Sequence, residues 1–129
     1  MREILFRGKR VDNGEWVQGF YALVASNKGL KHGIYTVAEN GCIIPYEVDR
    51  ETVGEYINRK GMDDKKIFEG DIILAYRTMF PRNKYKFVIT PDYCKWRSDY
   101  PFAFLTGDEY NLKIIGNIHD NPELIKKRK

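Results

Sequence analysis

The sequence has few of the residues on which disulfide-rich and metal-bound proteins depend. Only two cysteines, Cys42 and Cys94, and two histidines occur among 129 residues. The cysteines form neither a Cys-x-x-Cys pair nor the Cys/His spacing of a zinc site, which excludes a disulfide framework. Because disulfides are rare in reducing compartments, we expect two unpaired thiols in a cytoplasmic protein.

Long apolar runs and the signatures of nucleotide or nucleophile sites are also absent. No stretch approaches the ~18 consecutive apolar residues of a membrane helix, and charge interrupts the N-terminal apolar residues too early for a signal peptide. The patterns GxxxxGK[ST], GxGxxG and GxSxG do not occur. The sequence therefore predicts no membrane partner, no cofactor, no bound metal and no catalytic residue.

The net charge of +4 is unevenly distributed. Lys and Arg outnumber Asp and Glu by 22 to 18, but residues 126–129 are all basic and account for the whole excess. A chain end without apolar residues has little to dock. Residues 126–129 are therefore predicted to form a solubilising basic tail on a body of zero net charge.

One internal segment, residues 76–97, combines a basic excess with interleaved aromatic rings. Because nucleobases stack on rings while cations meet phosphates, the segment is a candidate nucleic-acid contact. The alternative is that strand alternation buries about half of the rings and that the acidic segment 98–125 pairs with the cations. The candidate contact residues are Arg77, Arg82, Lys84, Lys86, Lys95 and Arg97.

A second candidate site is built on carboxylates. Glu69 and Asp71 flank Gly70, so on a strand both would face the same side and could share a metal ion or a proton. Together with His119 they define the hypothesis of a small metal-dependent enzyme. The more ordinary explanation is that the carboxylates accept hydrogen bonds from turn amides and that His119 is a surface or capping residue.

Turn signals recur at short intervals between brief apolar runs rich in Tyr and Phe, which is typical of a mainly β protein. Asn13-Gly14 predicts a type I′ hairpin, and Asn40-Gly41 predicts a second tight turn. The unbroken apolar run at 72–76 predicts a buried central strand. The predicted strands are residues 4–11, 16–24, 33–38, 42–44, 72–76, 85–89, 102–105 and 112–118.

Short helical pieces are predicted at two places. Asp49 is a candidate N-cap for a helical turn over residues 50–56, and Asn121 precedes a proline at the first helical position. Residues 59–66 are predicted to be a loop. The predicted fold class is mainly β, of α+β type with short helices, built as small antiparallel sheets or a partly open barrel. A single domain is predicted over residues 1–125, with 1–66 and 67–125 as candidate lobes and an SH3-like second lobe.

Several short sequence motifs occur in the same order as in one known family. They are Phe6-Arg7-Gly8-Lys9 and the segments at residues 13–19, 48–56, 66–72 and 115–124. In these motifs the chain resembles the YopX family of phage and prophage proteins over almost its whole length. It departs from the family pattern at residues 57–65, where the family typically shows a Thr-Gly step and a Lys-Asn-Gly type of turn. The resemblance implies a small, mainly β phage or prophage protein and brings no catalytic residues.

We therefore expect a non-enzymatic accessory protein that acts through binding. Its partner is an unidentified protein or, through exposed strand edges, a second copy of the chain. The first alternative is nucleic-acid binding by residues 76–97 with assistance from the basic tail. The second alternative is the metal-dependent enzyme at Glu69, Asp71 and His119.

Overall fold

The computed structural model describes residues 3–90 and 110–125. The predicted features outside these residues are Cys94, Lys95, Arg97, the strand at 102–105 and the tail at 126–129. Within the described part the protein is mainly β, as predicted, and its two antiparallel sheets do not close into a barrel. No helix among the described residues is long and apolar enough to cross a membrane.

The larger sheet has six strands and the smaller has three. The described strands are β1 (Phe6–Lys9), β2 (Trp16–Ser26), β3 (Gly29–Val37), β4 (Ile43–Glu47), β5 (Gly54–Lys60), β6 (Lys66–Phe68), β7 (Asp71–Arg77), β8 (Phe80–Val88) and β9 (Asn111–Asn117). Their order is β4-β3-β2-β1-β5-β6 in the larger sheet and β8-β7-β9 in the smaller one. Two short 3-10 helices, Arg50–Thr52 and Pro122–Ile125, are also described. The chain divides into two compact units, Met1–Tyr56 and Ile57–Lys129.

The hairpin between β1 and β2 is present, but the predicted type I′ turn is wrong. Lys9 and Trp16 form the last strand pair, so the loop is longer than the two residues of a type I′ hairpin. Gly14 has a positive φ of 73°, whereas Asn13 does not. The Asn13 side chain instead accepts a hydrogen bond from Glu15 N–H at 3.0 Å. A longer loop of this kind needs one left-handed residue rather than two.

A surface ion pair lies within this loop. Arg10 Nε and Nη2 donate hydrogen bonds to the two carboxylate oxygens of Asp12, at 3.0 and 2.6 Å. The hydrogen bond from Arg10 lowers the pKa of the Asp12 carboxyl below its ordinary value. Because solvent screens a pair at the surface, its main effect is on loop geometry rather than on overall stability.

Strand β2 changes partner halfway along its length. Residues 16–19 pair with β1, and residues 20–26 pair with β3. A Cβ atom at Gly19 would lie 2.1 Å from the carbonyl oxygen of Tyr35, closer than any real contact. Glycine at position 19 therefore allows the backbone of β3 to approach β2 where the exchange takes place.

The second predicted turn is confirmed, but β4 continues through Pro45, beyond the predicted end of the strand at residue 44. Gly41 has a φ of 87°, and Ala38 N–H donates to the carbonyl of Cys42 at 2.8 Å. Val48 N–H donates to His32 O at 3.0 Å, so the backbone N–H groups of even-numbered residues in β4 point towards β3. Pro45 therefore directs its nitrogen to the outer side of this edge strand, where no donor is required.

The predicted cap at Asp49 is confirmed, but the predicted helical turn over residues 50–56 is too long. Asp49 Oδ1 accepts a hydrogen bond from Glu51 N–H at 3.1 Å. The helix then ends at Thr52, whose Oγ1 accepts a hydrogen bond from Lys9 N–H at 2.8 Å. This contact joins the helix end to β1.

The loop predicted at residues 59–66 is present over residues 61–65, and strands β5 and β6 take up only its two ends. Strand β5 begins at Gly54 and pairs with β1, with Phe6 opposite Glu55. Strand β6 begins at Lys66. The β1 residues that pair with Gly54 and Glu55 lie nearly fifty residues earlier in the chain, so tertiary pairing overrides the helical turn predicted over residues 50–56.

The unit Ile57–Lys129 has a core on one face of the smaller sheet. Strand β7 lies between β8 and β9, which confirms the buried central strand predicted at residues 72–76. Each fully buried aliphatic or aromatic side chain stabilises such a core by about 1.5–3 kcal/mol. The core cluster consists of Ile57, Ile67, Ile73, Ala75, Phe87, Ile89 and Leu112.

Candidate nucleic-acid interface

Strand β8 lies at the edge of the smaller sheet, and most of it is exposed. Residues 80–86 are all exposed, whereas Phe87 is buried. The strand begins at Phe80, five residues earlier than predicted, because an edge strand accepts Pro81 and a run of cations that are otherwise typical of a loop. The predicted contact residues on this strand or at its turn are Arg77, Arg82, Lys84 and Lys86.

Two lysines of β8 share one face of the sheet. Lys86 lies opposite Leu74, and Lys84 Nζ lies 5.9 Å from the ring centroid of Tyr76. Lys113 of β9 also lies opposite Leu74, on the other side of β7. Since directly opposed residues point the same way, this face carries lysines on both of its outer strands. Neither Lys84 nor Lys86 forms an ion pair with a described residue.

The acidic residues of the loop before β6 pair locally. Asp64 lies 3.7 Å from Lys60 Nζ, and Asp63 lies 3.7 Å from Lys65 Nζ. Each of these carboxylates therefore has a lysine partner within or next to its own loop.

The opposite face of β8 contains an aromatic cavity of about 230 Å³. Its lining residues are Arg77, Phe80, Asn83, Tyr85 and Tyr110. The Arg77 guanidinium carbon lies 5.9 Å from the ring centroid of Phe80 and 5.8 Å from that of Tyr110. Phe80 is 52% exposed and Tyr85 42%, so a ligand can reach the rings from solvent. The cavity thus places a cation among three aromatic side chains.

Local structure holds the cavity residues in place. Arg77 and Phe80 face each other across the two-residue turn between β7 and β8. Asn111 Nδ2 donates to Thr78 Oγ1 in this turn at 3.0 Å, which joins the turn to the start of β9 beside Tyr110. The register of β7 and β8 shifts between Ala75 and Arg77, so the pairing is irregular where the cavity opens. Such irregularities redirect side chains near the end of a strand pair.

The carboxylate candidates lie in the turn between β6 and β7. Asp71 is buried, and its Oδ2 accepts a hydrogen bond from Phe68 N–H at 2.8 Å, the turn role expected for it. Gly70 has a φ of 94°, which favours glycine, and its carbonyl accepts a hydrogen bond from Ile118 N–H at 2.9 Å. Among the described residues, no group of three or more His, Cys, Asp or Glu side chains is placed to hold a metal ion.

His119 lies in a hydrogen-bonded turn that follows β9. The backbone N–H groups of His119 and Asp120 both donate to Asn117 Oδ1, at 3.0 and 2.9 Å. Asn121 Oδ1 accepts a hydrogen bond from Asn117 N–H at 3.2 Å, so this side chain turns back towards β9. The short helix predicted to begin at Pro122 is present. The turn therefore orders the chain immediately after the last strand.

The chain matches the family model described as YopX protein over residues 5–126. It belongs to the YopX family. No curated protein matches it. The match extends over nearly the whole chain and confirms the resemblance seen in the sequence motifs.

In this YopX-family chain, the sequence pattern marks the cations of β8 but not three other residues on its two faces. Asn83 carries no charge and belongs to no motif, so nothing in the sequence marks it. Tyr110 and Lys113 approach β7 from the far end of the chain, so their proximity depends on the pairing of β7 with β9. No local pattern in the sequence signals that pairing.

The YopX-family chain also has an apolar patch on the larger sheet. Phe20, Tyr35 and Pro45 lie in one cross-strand row, with Val37 and Ile43 in the next. Two rows across three strands cover about 200 Å², given the usual strand spacings. A patch of this size is common on monomers and well below the ~800 Å² per partner of a stable interface. It therefore identifies no partner.

Proposed function

We propose that this YopX-family chain is a non-enzymatic binding protein of phage or prophage origin that acts in the bacterial cytoplasm and binds single-stranded nucleic acid along β8. The observation that carries the proposal is the exposed edge strand, which offers Lys84 and Lys86 on one face and aromatic rings on the other. Cations without local ion-pair partners meet phosphates, and exposed rings stack on bases.

The rings favour a single strand over a duplex. Phe80 and Tyr85 offer flat apolar surfaces, which stack on the faces of unpaired bases. In a duplex those faces are already stacked, and only base edges are accessible in the grooves. Because β8 is an edge strand, a single strand lying along it can reach both of its faces.

Fluorescence anisotropy with a labelled single-stranded oligonucleotide tests the proposal across a range of salt concentrations. Binding is expected at low salt. The logarithm of the association constant should fall linearly with the logarithm of the salt concentration, with a slope of about −0.7 for each phosphate contacted. The variant Lys84→Glu/Lys86→Glu should bind more weakly and lower this slope by about 1.4, because two contacts are lost.

The matched control is Lys28→Glu/Lys31→Glu, which makes the same charge change on the hairpin between β2 and β3. It should retain most of the affinity. No binding at low salt would refute the proposal. An equal loss in both double variants would show that net charge, and not β8, determines binding.

A further inference from the structure

We infer that the cavity formed by Arg77, Phe80, Asn83, Tyr85 and Tyr110 is a subsite that holds one nucleobase of the bound strand. This inference rests on the proposed function and adds to it a defined position for a base. The ligand class follows from the lining, which combines aromatic rings, one guanidinium and one side-chain amide.

The size of the cavity limits its occupant. At about 230 Å³ it is smaller than the 300–1,000 Å³ typical of drug-sized ligand sites. It is therefore suited to a single planar ring system and not to a complete dinucleotide. Its opening to solvent allows the rest of the strand to remain outside.

The lining supplies both stacking and polar recognition. Phe80 and Tyr110 lie at nearly equal distances from the Arg77 guanidinium, 5.9 and 5.8 Å from ring centroid to carbon. A base inserted here meets ring faces and the planar guanidinium, both of which stack on nucleobases. The amide of Asn83 has donors and an acceptor for the edge of the base.

The lysines complete the subsite from the other face of the same strand. Tyr85 lies between Lys84 and Lys86 in sequence and points to the opposite face, as alternation requires. The base-binding and phosphate-binding faces are thus separated only by the thickness of the edge strand. A nucleotide at this edge can place its base in the cavity and its phosphate near the lysines.

The experiment compares two oligomers of equal length and charge, one of thymidine nucleotides and one made of abasic residues. The wild-type protein should bind the thymidine oligomer more tightly. Phe80→Ala should reduce affinity for it by about 5- to 150-fold, the usual range for one stacked base, and should leave the salt slope unchanged. Affinity for the abasic oligomer should not change. Phe80→Trp should retain binding, since it keeps a ring.

The matched control is Phe20→Ala, which removes a phenyl ring of similar exposure, 61%, from the larger sheet. It should bind both oligomers as the wild-type protein does. Thermal unfolding of each variant verifies that the fold persists. A second readout is the emission of 2-aminopurine within the oligomer, which stacking in the cavity should quench in the wild-type protein but not in Phe80→Ala.

The two proposals fail differently. If the wild-type protein binds neither oligomer at low salt, the proposed function is refuted and the subsite with it. If it binds both oligomers equally, and Phe80→Ala has no effect while Lys84→Glu/Lys86→Glu weakens binding, then β8 binds phosphates and the subsite is refuted.

Discussion

Gly19 shows how much one residue contributes to the larger sheet. It lies where β2 leaves β1 and begins to pair with β3. The backbone carbonyl of Tyr35 occupies the space in which a Cβ would lie. Because the obstacle is backbone and not a mobile side chain, the neighbouring strand would have to move to accept a substitution.

Gly19→Ala should therefore lower the free energy of unfolding by about 3 kcal/mol, the upper end of the usual cost of overpacking. Urea denaturation monitored by circular dichroism measures the change. The control is Gln18→Ala at the exposed neighbouring position, which should change stability by less than about 0.5 kcal/mol. Equal stability of the two variants would contradict the role assigned to Gly19.

At the scale of elements, the edge strands decide where other chains can pair. Strands β4 and β8 are both sheet edges and both contain a proline, Pro45 and Pro81. A proline cannot donate to a new ladder, and the cations of β8 repel a second copy of themselves. Self-association through strand edges stays a prediction, and these two edges do not favour it.

The turn between β6 and β7 gives a test at the same scale. Asp71 is buried and accepts a hydrogen bond from Phe68 N–H. Asp71→Ala should lower the free energy of unfolding by about 1–3 kcal/mol, because it leaves a buried donor without this acceptor. Urea denaturation again gives the value, with exposed Asp63→Ala as the control.

A second variant of this residue, Asp71→Asn, separates a structural role from the metal-site hypothesis. A metal that binds the native state raises the melting temperature by mass action. We expect Mg²⁺, Mn²⁺ and Zn²⁺ to leave the wild-type melting temperature unchanged. A rise in the wild-type protein that is lost in Asp71→Asn would overturn the purely structural assignment.

At the scale of the whole molecule, the basic tail accounts for the net charge. The chain carries +4, and residues 126–129 contribute all of it. Deleting them should weaken oligonucleotide binding at low salt, since fewer cations remain to displace counterions from the strand. The melting temperature should not change, because the tail offers no apolar residues to the core. A lower melting temperature after the deletion would contradict this division of roles.

Local signals in the sequence determined the class of structure. The turn at Asn40-Gly41, the cap at Asp49 and the apolar run at 72–76 each depend on a few adjacent residues, so each was predicted correctly. The hairpin at Asn13-Gly14 was located correctly, whereas its turn type depends on where Lys9 and Trp16 stop pairing.

Only the tertiary structure decided which strands meet. Strand β5 forms where Gly54 and Glu55 pair with the distant β1, although the local signals of its own residues favoured the end of a helical turn and the start of a loop. The cavity exists because β9 brings Tyr110 to the turn after Arg77. Periodicity and turn chemistry act over a few residues, whereas strand pairing depends on which distant segments together bury the most apolar surface and satisfy their backbone hydrogen bonds. The sequence by itself therefore determined a mainly β chain with a basic end, and the pairing of its strands decided where the proposed binding site lies.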